Sequence, residues 1–305
     1  PVDLPAGPHG GDAVALARAL DVAPDSILDL SASLNPLAPA LDPVVVAAAA
    51  DLGRYPDDHA ATELLAAAID VDPGQLVLTN GGAEAIALVA RLEPIGEVID
   101  PEFSLYARHL TEVRAGAPRW RSNPSNPLGV LAEPADRARV WDEAFWPLAS
   151  GTWTRGDADA WRLGSLTKLW ACPGLRIGYA IAPDRAAAER LRARRPRWSV
   201  NGVALRAIVE LLPQTDLAGW RSGIAELRRR MTLALAARGL DVTETAANWV
   251  LVDRPGLRAE LLAHGILVRD CGSFGLAGVH RIAVCDDRSL DRLLVALDLL
   301  GGPGR

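Results

Sequence analysis

The sequence predicts an α/β fold, with a large α/β domain followed by a smaller α+β domain. Apolar runs of strand length alternate with Ala-, Leu- and Arg-rich stretches of helix length, a rhythm typical of α/β proteins. After Pro183-Asp184 the rhythm changes, because three helical stretches follow one another with no strand between them. The chain has 305 residues, 50% of them hydrophobic, so it can bury a large core without a metal or a disulfide.

The elements follow from the local pattern in chain order. Helices are predicted at 42–52, 60–69, 83–92, 104–115, 184–195, 202–212, 219–238, 256–264 and 287–300. Strands are predicted at 75–79, 95–99, 138–141, 161–165, 177–182, 248–253 and 280–284. The change of rhythm predicts an N-terminal arm over 1–40, a large domain over 41–195 and a small domain over 196–305.

Charge and composition argue against several functions. Lys and Arg number 32 against 38 Asp and Glu, a net charge of −6 that disfavours nucleic-acid binding. The arginine-rich stretch 190–197 is therefore interpreted as a solvated helix face. The five histidines lack the spacing of metal ligands, so no metal site is expected.

The cysteines and the apolar runs predict a cytoplasmic protein. Three widely spaced cysteines resemble no disulfide framework, which indicates a reducing compartment. No signal peptide is visible at the start of this sequence, and the longest apolar stretch, near 44–50, is too short to span a membrane.

A glycine turn joins a predicted strand to a predicted helix at Asn80-Gly81-Gly82. Free backbone N–H groups at a helix N-terminus bind anions such as phosphate. Strand–glycine–helix turns are also common in α/β proteins with no ligand, so the purely structural interpretation stays open.

Two further segments carry polar side chains. Asn126 lies between two prolines and could be a rigidly held hydrogen-bond donor or part of a pair of turns. Asp142 ends an apolar run, where α/β folds place ligands, although a helix N-cap is the common alternative.

Lys168 is the only lysine of the chain, and it lies between Ser165, Thr167 and the glycine-rich stretch that contains Arg176. An amine can form a Schiff base and a guanidinium cannot, so one surviving lysine among arginines indicates a chemical role. Amine, phosphate-binding turn, buried carboxylate and amide donor together form the set that holds pyridoxal 5′-phosphate.

With these residues the sequence resembles the fold-type I aminotransferase superfamily, which implies a large mixed sheet flanked by helices. Within it, the chain is most similar to the threonine-phosphate decarboxylases of cobalamin biosynthesis and to the histidinol-phosphate aminotransferases. The landmarks are His9-Gly-Gly11, Leu28 to Asn35-Pro, Arg54-Tyr55-Pro-Asp57, Asn80 to Glu84, Asn126-Pro, Asp142 to Phe145, Ser165 to Lys168, Gly174-Leu-Arg176, Trp198 to Asn201, Ile266 to Arg269 and Arg281-Ile-Ala-Val.

The resemblance implies a role for each matching residue. Lys168 would link to the cofactor and later move the proton, while Asp142 would keep the ring nitrogen protonated. Phe103 would stack on the ring and Asn126 would donate to its phenolic oxygen. The residues implied for the cofactor phosphate are Gly82, Ala83, Ser165, Thr167, Arg176 and, from the other subunit of a homodimer, Tyr55.

The substrate side is also implied by the resemblance. Arg281 would clamp a carboxylate, and Arg269, His9 and Gly10 would face the substrate phosphate. Ser33 stands where the decarboxylases have a substrate-contacting Asn.

Other departures concern the cofactor side. Phe145 stands where a Tyr is usual in the superfamily, although the decarboxylase branch also tolerates Phe at this position. The intervals between Phe103 and Asn126 and between Asn126 and Asp142 are shorter than in the family, which predicts trimmed crossover segments.

The predicted function is a pyridoxal-phosphate-dependent lyase that decarboxylates a phosphorylated amino acid, L-threonine O-3-phosphate. An aminotransferase is the alternative, because the same cofactor contacts serve both reactions. A catalytically silent protein of this fold is a third hypothesis.

Overall fold

The computed structural model describes residues 10–301, so His9 lies outside the described residues. The helices are α1 (Ala13–Leu20), α2 (Asp42–Ala48), α3 (His59–Ile69), α4 (Gly82–Ala90), α5 (Leu105–His109), α6 (Trp146–Ser150), α7 (Leu166–Leu169), α8 (Arg185–Arg192), α9 (Gly202–Leu211), α10 (Leu217–Ala236), α11 (Leu257–Leu262) and α12 (Asp287–Leu300). Short 3₁₀ turns occur at Pro24–Ser26, Ala49–Asp51, Leu212–Gln214 and Gly272–Phe274.

The strands are β1 (Leu28–Asp29), β2 (Leu76–Thr79), β3 (Ile95–Gly96), β4 (Glu112–Val113), β5 (Trp120–Ser122), β6 (Val140–Asp142), β7 (Trp161–Gly164), β8 (Gly178–Ile181), β9 (Asp241–Glu244), β10 (Trp249–Asp253), β11 (Ile266–Leu267), β12 (Arg269–Asp270) and β13 (Val279–Ala283). The predicted α/β class with a mixed sheet is confirmed, since parallel and antiparallel pairs share one sheet.

Two compact units make up the chain. In the described part, the small unit comprises 10–37, 127–129 and 222–301, and the large unit comprises 38–126 and 130–221. One division falls inside α10, between Arg221 and Ser222. The domain boundaries predicted after residues 40 and 195 stay predictions.

The large unit is built on a five-stranded sheet of order β2-β8-β7-β6-β5. Strands β5, β6 and β7 run parallel, and β8 runs antiparallel to both β7 and β2. Strand β2 therefore runs in the direction of β7. The carboxyl ends of β2, β5, β6 and β7 consequently meet at one edge, where β8 begins.

Tryptophans supply much of the large unit's core. Trp120, Trp141 and Trp161 lie on three neighbouring strands and are each at most 1% exposed. The guanidinium of Arg155 lies 4.4 Å from the centre of the Trp141 ring, and that of Arg121 lies 5.7 Å away. Cationic groups thus cover Trp141 and keep water from the sheet there.

The small unit has a four-stranded antiparallel sheet of order β12-β13-β10-β9 and a two-stranded parallel sheet of β1 and β11. Its core packs the inward side chains of these strands against α10, α11 and α12, with Leu235, Leu261 and Leu293 all fully buried.

Two predicted elements need correction. The helix predicted at 104–115 ends at His109, because Leu110 is extended and the N–H groups of Thr111 and Glu112 donate to the Pro94 carbonyl. Strand β4 then pairs with β3. The β-branched residues Thr111 and Val113 favour this extended conformation. The strand predicted at 95–99 pairs only over 95–96, with one further bridge from Glu97 to Arg119.

The interpretation of 190–197 as a solvated helix face is also only partly right. Arg192 donates to the carbonyls of Pro73, Gly74 and Leu76. Arg195 donates to the Leu78 carbonyl and to Asp58. These two arginines therefore hold the β2 segment.

Within residues 10–301, none of the helices combines the length and the apolar character that a membrane crossing requires.

Candidate active site

The sheet edge gathers the predicted cofactor residues of the large unit. Asp142 is the last residue of β6, and Ser165 directly follows β7. Gly81 and Gly82 follow β2 within three residues, and Arg176 precedes β8 by two. Side chains that are far apart in the sequence therefore lie around one edge, the usual ligand position in an open α/β sheet.

A cradle for an anion lies between β2 and α4. Gly81 has φ 80° and no side chain caps α4, so the first N–H groups of this helix, including those of Gly82 and Ala83, have no acceptor within it. A Cβ atom at Gly81 would lie only 2.5 Å from Nη2 of Arg176, and one at Gly82 would lie 3.7 Å from Cβ of Ser165. Helix N–H groups, a hydroxyl residue and a guanidinium thus surround one spot, which fits a phosphate group.

Thr167 secures this cradle. Its buried hydroxyl donates to the Ile177 carbonyl over 3.1 Å and accepts the Ile177 N–H over 3.3 Å. These bonds tie α7 to the start of β8, where a Cβ atom on Gly178 would lie 2.6 Å from N of Gly82. Direct contact of Thr167 with a phosphate stays a prediction.

Lys168 lies in α7 and is half-buried. Its Nζ lies 5.7 Å from the centre of the Phe145 ring. Phe145 therefore offers the amine a ring face, an attractive cation–π arrangement, at the position where the resemblance leads one to expect a hydroxyl.

Asp142 accepts a hydrogen bond from the Tyr106 hydroxyl over 2.8 Å and one from the Ala144 N–H over 3.0 Å. Burial raises the pKa of Asp142, while these two bonds and the positive charge of Lys168 act in the opposite direction. A half-buried carboxyl group with two donors is suited to bind a protonated ring nitrogen.

Tyr106 is a site residue that sequence reasoning missed. It is 1% exposed, and burial together with the charges of Asp142 and Glu102 raises the pKa of its hydroxyl well above the ordinary value. The hydroxyl therefore stays protonated and donates to Asp142. The only sequence signal is its place three residues after Phe103.

Asn126 and Phe103 join this group through buried neighbours. The Asn126 N–H donates to Oγ of Ser122 over 2.8 Å, and Asn126 is 8% exposed. The Phe103 ring meets the Tyr106 ring edge-on, with centres 5.7 Å apart. The structure thus links Phe103 to Asp142 through Tyr106.

Tyr55 lies apart from this group on the surface. Its side chain is 78% exposed and stacks on Trp198 with ring centres 4.5 Å apart. An exposed aromatic residue is what a contact across a subunit boundary requires, and that contact stays a prediction.

Two predicted substrate residues face each other in the small unit. Arg269 on β12 and Arg281 on β13 are directly opposite in the antiparallel register, and they are 4% and 6% exposed. Burial and the nearby Arg269 charge lower the pKa of Arg281 to about 10. Two buried guanidinium groups this close form a site that favours an anionic ligand.

Gly10 and Ser33 belong to the same unit. A Cβ atom on Gly10 would lie 2.3 Å from the Ser31 carbonyl oxygen, which also accepts a hydrogen bond from Arg281 over 3.2 Å. Ser33 has φ 47°, and among the described residues its buried hydroxyl has no hydrogen-bond partner. Gly10 and Arg281 therefore both approach the Ser31 carbonyl, while the Ser33 carbonyl accepts a hydrogen bond from the Asn248 side chain over 2.8 Å.

The pattern of the family Aminotransferase class I and II matches residues 120–297. The chain belongs to this family. The threonine-phosphate decarboxylase of Salmonella typhimurium is 31% identical over 351 positions, with 95% of each chain covered. The histidinol-phosphate aminotransferase 1 of Dechloromonas aromatica is 26% identical, covering 93% of this chain and 92% of its own.

Solved structures of class I and II aminotransferases and related enzymes share the fold. The histidinol-phosphate aminotransferase of Sinorhizobium meliloti, in complex with pyridoxal 5′-phosphate, has a TM-score of 0.80 at 21% identity, covering 98% of this chain and 95% of its own. The L-threonine-O-3-phosphate decarboxylase of Porphyromonas gingivalis has a TM-score of 0.76 at 20% identity, covering 90% of this chain and 99% of its own.

The predicted family and the predicted cofactor, pyridoxal 5′-phosphate, are confirmed by this membership. The residues present fit the cofactor on their own chemistry. The anion cradle, the half-buried amine of Lys168 and the half-buried carboxyl group of Asp142 lie around one sheet edge of this member of the class I and II aminotransferase family, although each residue's role stays a prediction. Among residues 10–301 no three His, Cys, Asp or Glu side chains are grouped to hold a metal ion.

Replacing Tyr106 with Phe tests the bond to Asp142. A hydrogen bond to a charged acceptor contributes roughly 1.5–3 kcal/mol, so we expect Tyr106→Phe to bind pyridoxal 5′-phosphate about 10- to 100-fold more weakly. Equilibrium titration of apoprotein with the cofactor measures this. Unchanged affinity in a folded Tyr106→Phe variant would contradict a role for the hydroxyl.

Glu143 provides a test of stability against pH. It is 1% exposed and accepts the Arg155 N–H over 3.0 Å. Burial raises the pKa of Glu143 from its ordinary 4.5 to about 7. Since the folded state binds this proton more tightly, the stabilisation is complete below the unfolded pKa and is lost as the pH rises to about 7.

We therefore compare urea unfolding of the wild type and Glu143→Gln at several pH values. The wild type should lose unfolding free energy relative to the variant by up to about 1.4 kcal/mol per pH unit, between the unfolded and folded pKa values. Parallel pH dependences of the two proteins would contradict a protonated Glu143 in the folded state.

Proposed function

We propose that this protein is a pyridoxal-phosphate-dependent carboxy-lyase that converts L-threonine O-3-phosphate to aminopropanol phosphate and carbon dioxide. The observation that carries the choice of a phosphorylated amino acid is the buried pair Arg269 and Arg281. The 31% identity to the Salmonella decarboxylase over 95% of both chains supports decarboxylation.

Bound pyridoxal 5′-phosphate supplies an electron-withdrawing ring that accepts the electron pair of the bond broken at the substrate α-carbon. Lys168 provides the amine for covalent attachment of the cofactor and afterwards returns a proton to the α-carbon. Asp142 holds the proton at the ring nitrogen, and the Tyr106 hydroxyl and the Ala144 N–H keep the Asp142 carboxylate in place.

The other residues of the large unit orient the cofactor. Gly82, Ala83, Ser165 and Arg176 hold its phosphate through the cradle. Phe103 stacks on the ring and Asn126 donates to the phenolic oxygen. Each of these contacts is set before substrate arrives, so the reacting bond can be aligned without reordering the site.

In the proposed reaction, each arginine of the pair binds one anionic group of the substrate. Arg281 binds the carboxylate and Arg269 the phosphate, with His9 and Gly10 on the phosphate side. With the carboxylate and the phosphate held by these two arginines, the bond between the α-carbon and the carboxylate would be held in one orientation for cleavage.

Transamination of a histidinol-phosphate-like substrate is the second candidate. Ser33 favours it, because this residue stands where the decarboxylases have an Asn and its buried hydroxyl has no partner among the described residues. The 26% identity to the Dechloromonas aminotransferase supports the same alternative. Here Lys168 removes the α-proton and the amino group moves to a 2-oxo acid.

A cytoplasmic homodimer is part of the proposal. The exposed Tyr55, stacked on Trp198, is the residue that reaches the cofactor phosphate of the second subunit. Nucleic acid and membrane are not partners in this proposal.

A product assay separates the two reactions. Purified protein with pyridoxal 5′-phosphate and L-threonine O-3-phosphate should release carbon dioxide and aminopropanol phosphate without any 2-oxo acid. Lys168→Ala is the control, expected to lose at least about 10²–10⁴-fold in rate, as for removal of a general acid–base group. Conversion to the pyridoxamine form that a 2-oxo acid reverses would establish the aminotransferase instead.

A further inference from the structure

A second buried carboxyl group lies near Asp142, and the proposed mechanism does not use it. Glu102 is 7% exposed and lies just before α5. Its Oε2 accepts the Ser122 N–H over 3.0 Å, and its Oε1 accepts the Phe103 N–H over 3.2 Å and the Ser122 hydroxyl. Three donors on one carboxyl group fix its position.

The Ser122 hydroxyl connects Glu102 to Asn126. It donates to Glu102 and accepts the N–H of Asn126 over 2.8 Å. Because its proton is committed to Glu102, its lone pairs face Asn126. A chain of hydrogen bonds thus runs from Glu102 to the residue proposed to donate to the cofactor's phenolic oxygen.

Ser122 also stands directly opposite Asp142 in the register of β5 and β6. The hydrogen bonds of Glu102 to Ser122 therefore hold β5, the edge strand of the sheet, against the strand that carries Asp142. Asn123, the next residue, donates its N–H to the Asp142 carbonyl over 2.8 Å.

The charges around Glu102 come from several elements. Asp142 on β6 and Tyr106 on α5 interact with it, and Lys168 on α7 acts on Asp142. Burial raises the pKa of Glu102 to about 7, with a smaller contribution in the same direction from Asp142. Glu102 therefore changes charge near neutral pH, where Asp142 and Lys168 do their proposed work.

A carboxylate at this position differs from an amide of the same size in two ways. Glu102 accepts hydrogen bonds on both carboxyl oxygens, whereas an amide has a single acceptor oxygen. What an amide cannot supply is a negative charge close to Tyr106 and Asp142.

Given the cofactor site proposed above, on which this inference rests, we propose that Glu102 is a positioning residue. Through the Ser122 hydroxyl it holds Asn126, and its negative charge adds to that of Asp142, so that the electrostatic environment of the bound cofactor changes with the charge on Glu102.

The test is the absorbance of the bound cofactor between pH 5.5 and 8.5, together with cofactor affinity at each pH. In the wild type, both the absorbance and the cofactor affinity should change in a single step as the pH rises, with a midpoint near pH 7. Glu102→Gln keeps an acceptor for Ser122 but removes the charge, so the step should disappear.

Glu143→Gln is the matched control. Glu143 is also buried, at 1% exposure, and burial raises its pKa to about 7 as well, but its carboxyl group accepts a hydrogen bond from the Arg155 N–H. This variant should keep the absorbance step. Ser122→Ala is a second variant, which cuts the link to Asn126 but leaves the charge. It should bind the cofactor about tenfold more weakly, the effect of losing one hydrogen bond, and keep a pH step.

The outcomes separate this proposal from the proposed function. A wild type without a step near pH 7, or a Glu102→Gln variant that keeps the step and full affinity and only melts at a lower temperature, would overturn the role of Glu102 alone. A wild type that binds no pyridoxal 5′-phosphate would overturn the proposed function and this role together. The result needs no catalytic turnover, so it does not depend on which substrate is correct.

Discussion

The site depends on how the protein stabilises the half-buried carboxyl group of Asp142. A buried carboxylate is costly unless donors and charges surround it. The Tyr106 hydroxyl and the Ala144 N–H donate to it, and the Lys168 charge opposes the effect of burial. These three groups come from α5, from the turn after β6 and from α7. A change in any of these elements therefore alters the hydrogen bonds to the Asp142 carboxyl group or the charge near it.

The sheet topology explains why those groups meet. Three parallel strands and β2 end at one edge, and each is followed by a segment with a chemical group. The anion cradle, Asp142 and Lys168 are therefore consequences of strand direction. The guanidinium groups of Arg121 and Arg155 lie over the Trp141 ring and cover the sheet there.

The large and the small unit carry complementary chemistry. The large unit combines the Lys168 amine, the half-buried Asp142 carboxyl group and the buried Glu102 carboxyl group with an anion cradle. The small unit presents two buried guanidinium groups opposite each other, held near the backbone of Ser31.

The main site residues and the long strands were predictable from the sequence, for different reasons. Lys168 could be found because it is the only lysine, and the long strands could be found because their apolar runs are clear. Strand β5 was missed because it has three residues, one of them Arg121, so no run is visible.

The supporting residues could not be found in this way. Tyr106, Glu102 and Ser122 are ordinary residues in the sequence, and their roles arise from contacts between α5, β5 and β6. The helix predicted at 104–115 failed for a related reason, since the Pro94 carbonyl captures the N–H groups of Thr111 and Glu112. Tertiary pairing overrides local propensity there.

Borohydride reduction of the protein loaded with pyridoxal 5′-phosphate tests the central claim most directly. Reduction should add one pyridoxyl group, and peptide mass mapping should place it on Lys168. Arg137→Lys, which adds a lysine at an exposed position, should still be labelled on Lys168 alone. Labelling of the new lysine to the same extent, or no labelling of Lys168, would contradict the cofactor site described here.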